Sequence, residues 1–291
     1  MKPVCLALGA SGFLGREAVP ELAKSFAVVP TCMRPRPDGM RLVDMRDHDA
    51  LAALIDEVQP DAVVAMAAYR EPDFCETNPG ETRRLNTEPC RVLVERLPSS
   101  TRLLYVSTDY VFDGDHPPYA EDAARHPVSV YGQSKKEAED IVLSRQGSLV
   151  VRVPLLMGWT DDAATSGFFS HLVKDVMSEG AVVLDDVLAR YPVWTRDMGS
   201  AMRVLLERDA SGAFHCSTTR RLTRYTAALE MAELLGRSAK HIQPSQEVIP
   251  RAARRPLDAQ LRIDKWLALG QQPPTDFREV ARIFVERFKI A

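Results

Sequence analysis

Along the first half of the chain, short and mostly apolar runs alternate with stretches of helical spacing. "VCLALG" (4–9), "FAVVPTC" (26–32), "DAVVAMAA" (61–68), "TRLLYVST" (101–108) and "SLVVRVPLL" (148–156) are the apolar runs. Strands of this kind, rather than ones alternating apolar and polar, belong to a parallel sheet covered on both faces. "REAVPELAK" (16–24) has helical spacing, with Pro20 expected to kink or end the helix. "DHDALAALIDEVQ" (47–59) opens on an Asp cap, and "SKKEAEDIVLSRQ" (134–146) reads as another helix. Strand–helix alternation predicts the α/β class: a Rossmann-type doubly wound parallel sheet.

Beyond Leu156 the rhythm loosens. "TSGFFSHLVKDVMSEG" (165–180) is a helix, "GAFHCS" (212–217) one more strand, "TRYTAALEMAELLG" (223–236) a Thr-capped helix and "DFREVARIFVERF" (276–288) a closing helix. Residues 240–256, rich in Pro, Arg and Gln, are expected to be loop. The predicted division is a nucleotide-binding domain over 1–158, with 181–218 returning to it. A smaller, mostly helical substrate lobe takes 159–180 and 219–291, with a cleft between the two.

Composition adds exclusions. At 291 residues with 45% hydrophobic and 26% charged positions, the chain has the make-up of a globular protein. A net charge of −3 gives no reason to expect nucleic acid or an anionic membrane. The apolar run after Lys2 is too short for a signal or membrane segment and breaks at glycines. Five scattered cysteines without a Cys-x-x-Cys pair suggest reduced thiols and a cytoplasmic setting, and no His stands at metal-ligand spacing.

The chemistry begins at "LALGASGFLGRE", where Gly9, Gly12 and Gly15 lie between the first strand and the first helix. Glycines there permit a tight turn and close approach of backbone to a pyrophosphate at a helix N-terminus. The second strand ends "TCMRPRP", with no acid before Asp38 but with Arg34 and Arg36. An acid would hold a ribose 2′-hydroxyl, whereas a guanidinium suits a 2′-phosphate, so NADP(H) is favoured over NAD(H). Asp44 and Met45, after the short strand "MRLVD", are candidates for the adenine edge.

Tyr131 and Lys135 in "YGQSKKEAED" are four apart, hence on one helix face. An ammonium beside the phenol is expected to lower the tyrosine pKa from about 10. "YVSTDYVFDG" (105–114) ends a buried strand in hydroxyls at the sheet edge where such folds bind ligands. Thr108 there can orient a carbonyl while Tyr131 supplies the proton. Trp159 and Trp194 are alternatives for stacking on a base or for packing, and Arg190 and Arg196 for clamping a diphosphate or for lying in solvent.

The glycine loop, Thr108 and Tyr-x-x-x-Lys together resemble the extended short-chain dehydrogenase/reductases. "STDYVFDG", "YGQSKKEAE" and "RRPLDAQLRIDKW" (254–266) are similar to the dTDP-4-dehydrorhamnose reductase-like family, and within it to the branch of the methionine adenosyltransferase regulatory β subunit. The resemblance implies Thr108, Tyr131 and Lys135 as the catalytic set. It implies Gly9, Ser11, Gly12, Phe13, Leu14, Arg34, Asp44, Met45, Ala67, Ala68, Tyr69 and Ser107, with Tyr131 and Lys135, around NADP(H). Asn86, Asp109, Tyr110, Phe112 and Arg190 would serve the substrate, a nucleotide-linked keto sugar, and a homodimer or enzyme complex is implied as well. Leu155 in "RVPLLMG" stands where the reductases carry Trp, which leans toward the regulatory branch. Related dehydratases carry Glu where this chain has Tyr110, which removes their acid–base group.

Overall fold

The computed structural model describes residues 1–34 and 39–290; Arg36 and Asp38 lie outside them. In chain order, β1 (Val4–Leu8), α1 (Gly15–Leu22), β2 (Ala27–Cys32), β3 (Arg41–Leu42), α2 (His48–Val58) and β4 (Ala62–Ala65) come first. Three short helices follow, α3 (Pro72–Thr77), α4 (Pro79–Asn86) and α5 (Glu88–Arg96). Then come β5 (Arg102–Thr108), α6 (Val130–Leu143), β6 (Leu149–Val153), β7 (Leu156–Met157), α7 (Phe168–Val176) and β8 (Val182–Asp185). The chain continues with β9 (Val193–Trp194), α8 (Thr195–Glu207), β10 (Gly212–His215), α9 (Arg224–Leu234), β11 (Ile242–Ser245), α10 (Asp264–Ala268) and α11 (Phe277–Phe288).

Among the described residues, seven strands form one sheet in the order β3-β2-β1-β4-β5-β6-β10, and every pairing is parallel. The chain reverses direction across the sheet between β1 and β4, and the carboxyl ends of those strands open the crevice where doubly wound folds bind ligands. Strand alternation divides the apolar side chains between two cores. Cys5, Val64, Leu104 and Val151 face α1 and α8, while Leu6, Val63, Leu103 and Val150 face α2, α5 and α6. One position breaks the apolar run: Arg152 in β6 is charged, yet only 2% exposed.

Pro20 is accommodated inside α1, which ends at Leu22. The C-terminal lobe builds its own core from α7, α9 and α11, with Phe169 stacked on Phe284 at 4.8 Å. Within 181–218, α8 packs on α1 and β10 completes the sheet, whereas β8 pairs with β11 beside the lobe. β11 lies in the stretch expected to be loop; its "IQPS" has no alternation to read and contains a proline. Between β11 and α10, Arg255 and the Ala253 N–H grip Asp73 of α3 at 2.9–3.1 Å. Further along, the Tyr119 N–H donates to the Gln260 carbonyl and the Arg262 N–H to the Tyr119 carbonyl, both at 2.8 Å, which sets residues 260–262 alongside the loop after β5.

Candidate active site

A cleft of about 550 Å³ runs along the carboxyl ends of β1, β2, β4, β5 and β6. Its first wall is the turn after β1. Gly9 sits at φ +85° with Ala67 so close that a Cβ would lie 2.8–2.9 Å from its backbone and side chain. Only glycine permits that close packing of the turn after β1 on the turn after β4. Ser11, Gly12, Phe13 and Leu14 continue this wall to the start of α1.

Asp44 and Met45 line the far end with Met33, and Ala67, Ala68 and Tyr69 form the side after β4. Arg46, which sequence reasoning missed, organises this end. Its guanidinium donates to both oxygens of Asp44 at 2.6–3.1 Å and to Tyr69 Oη at 3.1 Å. That pairing holds the Asp44 carboxyl below its usual range, through the Arg46 hydrogen bond first. The only hint in sequence was an arginine two residues beyond the aspartate. Arg34 is exposed at the end of β2 and stands outside the cleft wall, next to the segment that is not described.

Ser107, Thr108, Asp109, Tyr110, Tyr131, Lys135 and Arg190 gather at the inner end. β5 delivers the first two because its strand conformation persists to Thr108, and the Thr108 hydroxyl then caps the turn by accepting from the Tyr110 N–H at 3.2 Å. Thr108 donates its proton to Asp109 Oδ1 at 3.0 Å. Asp109 is buried, which pushes its carboxyl up to about 6 against the opposing charge of Arg190. Ser107 lines the cleft, and its Oγ is buried without a hydrogen-bond partner.

The helix α6 starts earlier than its spacing suggested, capped by Ser129 Oγ, which accepts from the Gly132 N–H at 3.2 Å. Tyr131 and Lys135 therefore lie on one helix, as their spacing required. Their electrostatics differ from expectation. Lys135 Nζ donates to the Val106 carbonyl at 2.7 Å and stands 4.0 Å from the Tyr105 ring centre. Burial lowers its pKa to about 8. Loss of water around the Tyr131 hydroxyl pushes that phenol up, with a Thr108 hydrogen bond opposing, and Lys135 does not offset the rise. The phenol thus keeps its proton at neutral pH.

Two expected substrate residues are elsewhere. Phe112 is fully buried, stacked on Tyr119 at 4.2 Å under Arg152, because the chain makes a 3-10 turn after Thr108 and swings the ring inward. Asn86 is also buried. It binds both the N–H and the carbonyl of Tyr69 at 2.8 and 3.0 Å and donates to Ser134 Oγ at 3.1 Å, stapling the cleft wall to α6. Trp159 and Trp194 pack together at 5.4 Å beside Phe284, and Arg196 reaches Glu21; none of the three lines the cleft.

Strand order, glycine turn and the cleft at the switch point define a doubly wound, Rossmann-type α/β protein. Residues 1–290 match the RmlD substrate binding domain family, and the chain belongs to it. It is 32% identical to methionine adenosyltransferase 2 subunit beta of Rattus norvegicus, over 94% of this chain and 84% of that one. It is 32% identical to a probable dTDP-4,6-dihydroxy-2-methyloxan-3-one 4-ketoreductase of Streptomyces antibioticus, over 95% and 92%. In fold it is similar to the dTDP-4-dehydrorhamnose reductase of Bacillus anthracis, solved in complex with NADP, with TM-score 0.87, 22% identity, and 99% and 100% of the two chains covered. Among the described residues no helix is long and apolar enough to cross a membrane.

Proposed function

We propose that this protein is an NADP(H)-dependent oxidoreductase that reduces the keto group of a nucleotide-linked 4-keto-6-deoxy sugar or a similarly polar keto sugar. The observation that carries the reading is the meeting of Thr108, Tyr131 and Lys135 at the inner end of a cleft whose other wall is a glycine turn. The unpartnered Ser107 hydroxyl and the glycine turn that lines the cleft fit a bound dinucleotide. NADPH, when bound, supplies the hydride. The turn from Gly9 to Leu14 would hold its pyrophosphate, Asp44 and Met45 its adenine edge, Lys135 its nicotinamide ribose, and Arg34 its 2′-phosphate.

The chain's own residues then do three things. Thr108 orients the substrate carbonyl by hydrogen bonding. Tyr131, protonated at rest, gives its proton to the oxygen as negative charge grows there, for a gain of roughly 10²–10⁴-fold. Asp109, Tyr110 and Arg190 shape the substrate side, with Arg190 available to an anionic group. The likeness to the Streptomyces ketoreductase supports this substrate class.

A second reading has its own support in the likeness to methionine adenosyltransferase 2 subunit beta. There the same cleft would bind NADP(H) in a regulatory subunit with little or no turnover. Tyr131→Phe separates chemistry from binding. The ketoreductase reading expects turnover to fall at least about 100-fold while NADPH affinity stays within a few-fold, because the proton is needed only in the transition state. An active Tyr131→Phe variant would remove Tyr131 as the acid.

A further inference from the structure

Arg152 is the most deeply buried cation of the sheet, and its contacts converge on the helix that carries Tyr131 and Lys135. Its Nε donates to Glu139 Oε1 and Oε2 at 3.0 and 3.2 Å, and its Nη2 to Oε2 at 2.8 Å. Glu139 has no exposure and takes a further bond, 2.8 Å, from Arg125 Nη1. Arg152 Nη1 turns the other way, to the Glu121 carbonyl at 2.9 Å and His215 Nε2 at 3.1 Å. His215 Nδ1 donates to the Arg262 carbonyl at 2.8 Å, which leaves Nε2 as the acceptor for Arg152. A buried pair of this kind contributes little net stability compared with apolar residues of the same volume, so stability alone does not account for it.

Position does account for it. Tyr131, Lys135 and Glu139 are spaced by four along α6 and share one face. Around Lys135 stand the Val106 carbonyl and the Tyr105 ring from β5, the thiols of Cys75 on α3 and Cys90 on α5, and Tyr131 and Glu139 on its own helix. Among these groups Glu139 is the only carboxylate. The same cluster grips the loop after β5, since Phe112 lies under the Arg152 guanidinium at 5.2 Å and Glu121 accepts from it.

We propose that Arg152 and Arg125 are positioning residues. They fix Glu139, and through it the register of α6, and they set how much of its negative charge reaches Lys135 one turn away. The inference rests on the reading of Lys135 as part of the reaction centre, but its test requires neither substrate nor turnover. The charge state of Lys135 is followed by NMR titration of protein labelled at lysine Cε, with Lys135→Met assigning the resonance. In the wild type, burial of Lys135 places the expected midpoint at about 8.

Glu139→Gln, which keeps the shape and removes the charge, is expected to lower that midpoint. Arg152→Met and Arg125→Gln leave the carboxylate less neutralised and are expected to raise it. Each shift is about half a pH unit or more. Arg125 is partly open to solvent, with 20% of its side chain exposed, so Arg125→Gln tests the same sign if Arg152→Met does not fold. A purely structural role predicts lower melting temperatures with an unmoved Lys135 midpoint. That result, or shifts of the same sign from Glu139→Gln and Arg125→Gln, overturns the proposal.

Discussion

Removing the Ser107 hydroxyl should affect the free and the ligand-bound protein in opposite ways. In the free protein Ser107 Oγ is buried on the cleft wall with no hydrogen-bond partner. A buried polar group left without a partner costs about 1–3 kcal/mol. Ser107→Ala deletes that cost and leaves a void smaller than a methyl group, so the free protein should gain up to about 1 kcal/mol. For a chain of this size that is a rise of up to roughly 1–2 °C in Tm. If NADPH supplies the missing partner, the same change removes a hydrogen bond worth about 0.5–1.5 kcal/mol net from the complex, or roughly a 3- to 10-fold loss of affinity. Calorimetric titration with NADPH measures the second effect and thermal melts without ligand the first. A destabilised free protein with unchanged NADPH affinity would refute the reasoning, because the hydroxyl would then be a structural group.

Two further outcomes follow from the electrostatics. Arg46→Gln frees Asp44 and Tyr69, so NADPH should bind several-fold more weakly, read by the same titration. Stability should change by less than about 1 kcal/mol, since the Arg46–Asp44 pair is partly exposed; unchanged affinity would remove Arg46 from the nucleotide end. His215 is pushed down to about 3, by burial first and then by Arg152, whereas an unfolded His titrates near 6.5. Below that value the unfolded state binds a proton that the folded state refuses, so stability falls as pH drops from about 6.5 toward 3, by up to about 1.4 kcal/mol per pH unit. Urea unfolding of wild type and His215→Gln across this range should show a steeper decline in the wild type; parallel declines would mean that His215 is protonated in the fold.

The sheet was legible because its strands are mostly apolar and separated by helical periods, which leaves few alternatives to a parallel, doubly covered sheet. The glycine turn and Tyr131–Lys135 were legible for a related reason, since each depends on spacing within a few residues. What sequence did not disclose depends on contacts across the fold. The helices α3 to α5 are short and have no long apolar period, though each opens on a proline in its first turn. Phe112 looked like a neighbour of the substrate from its distance to Thr108, but one 3-10 turn sends it into the core. Lys135 was expected to act on the phenol; its ammonium instead faces a carbonyl and a ring from β5, partners separated from it by about 30 residues. The same holds for Arg152, whose partners come from α6, β10 and the loop after β5.

The most direct measurement is NADPH consumption by the purified wild-type protein offered a dTDP-linked 4-keto-6-deoxy sugar and, in parallel, other nucleotide-linked 4-keto sugars. The account predicts that at least one of them is reduced with one NADPH oxidised per sugar, and that Tyr131→Phe abolishes the consumption. No oxidation of bound NADPH across the whole panel, together with co-purification of a methionine adenosyltransferase, would contradict it.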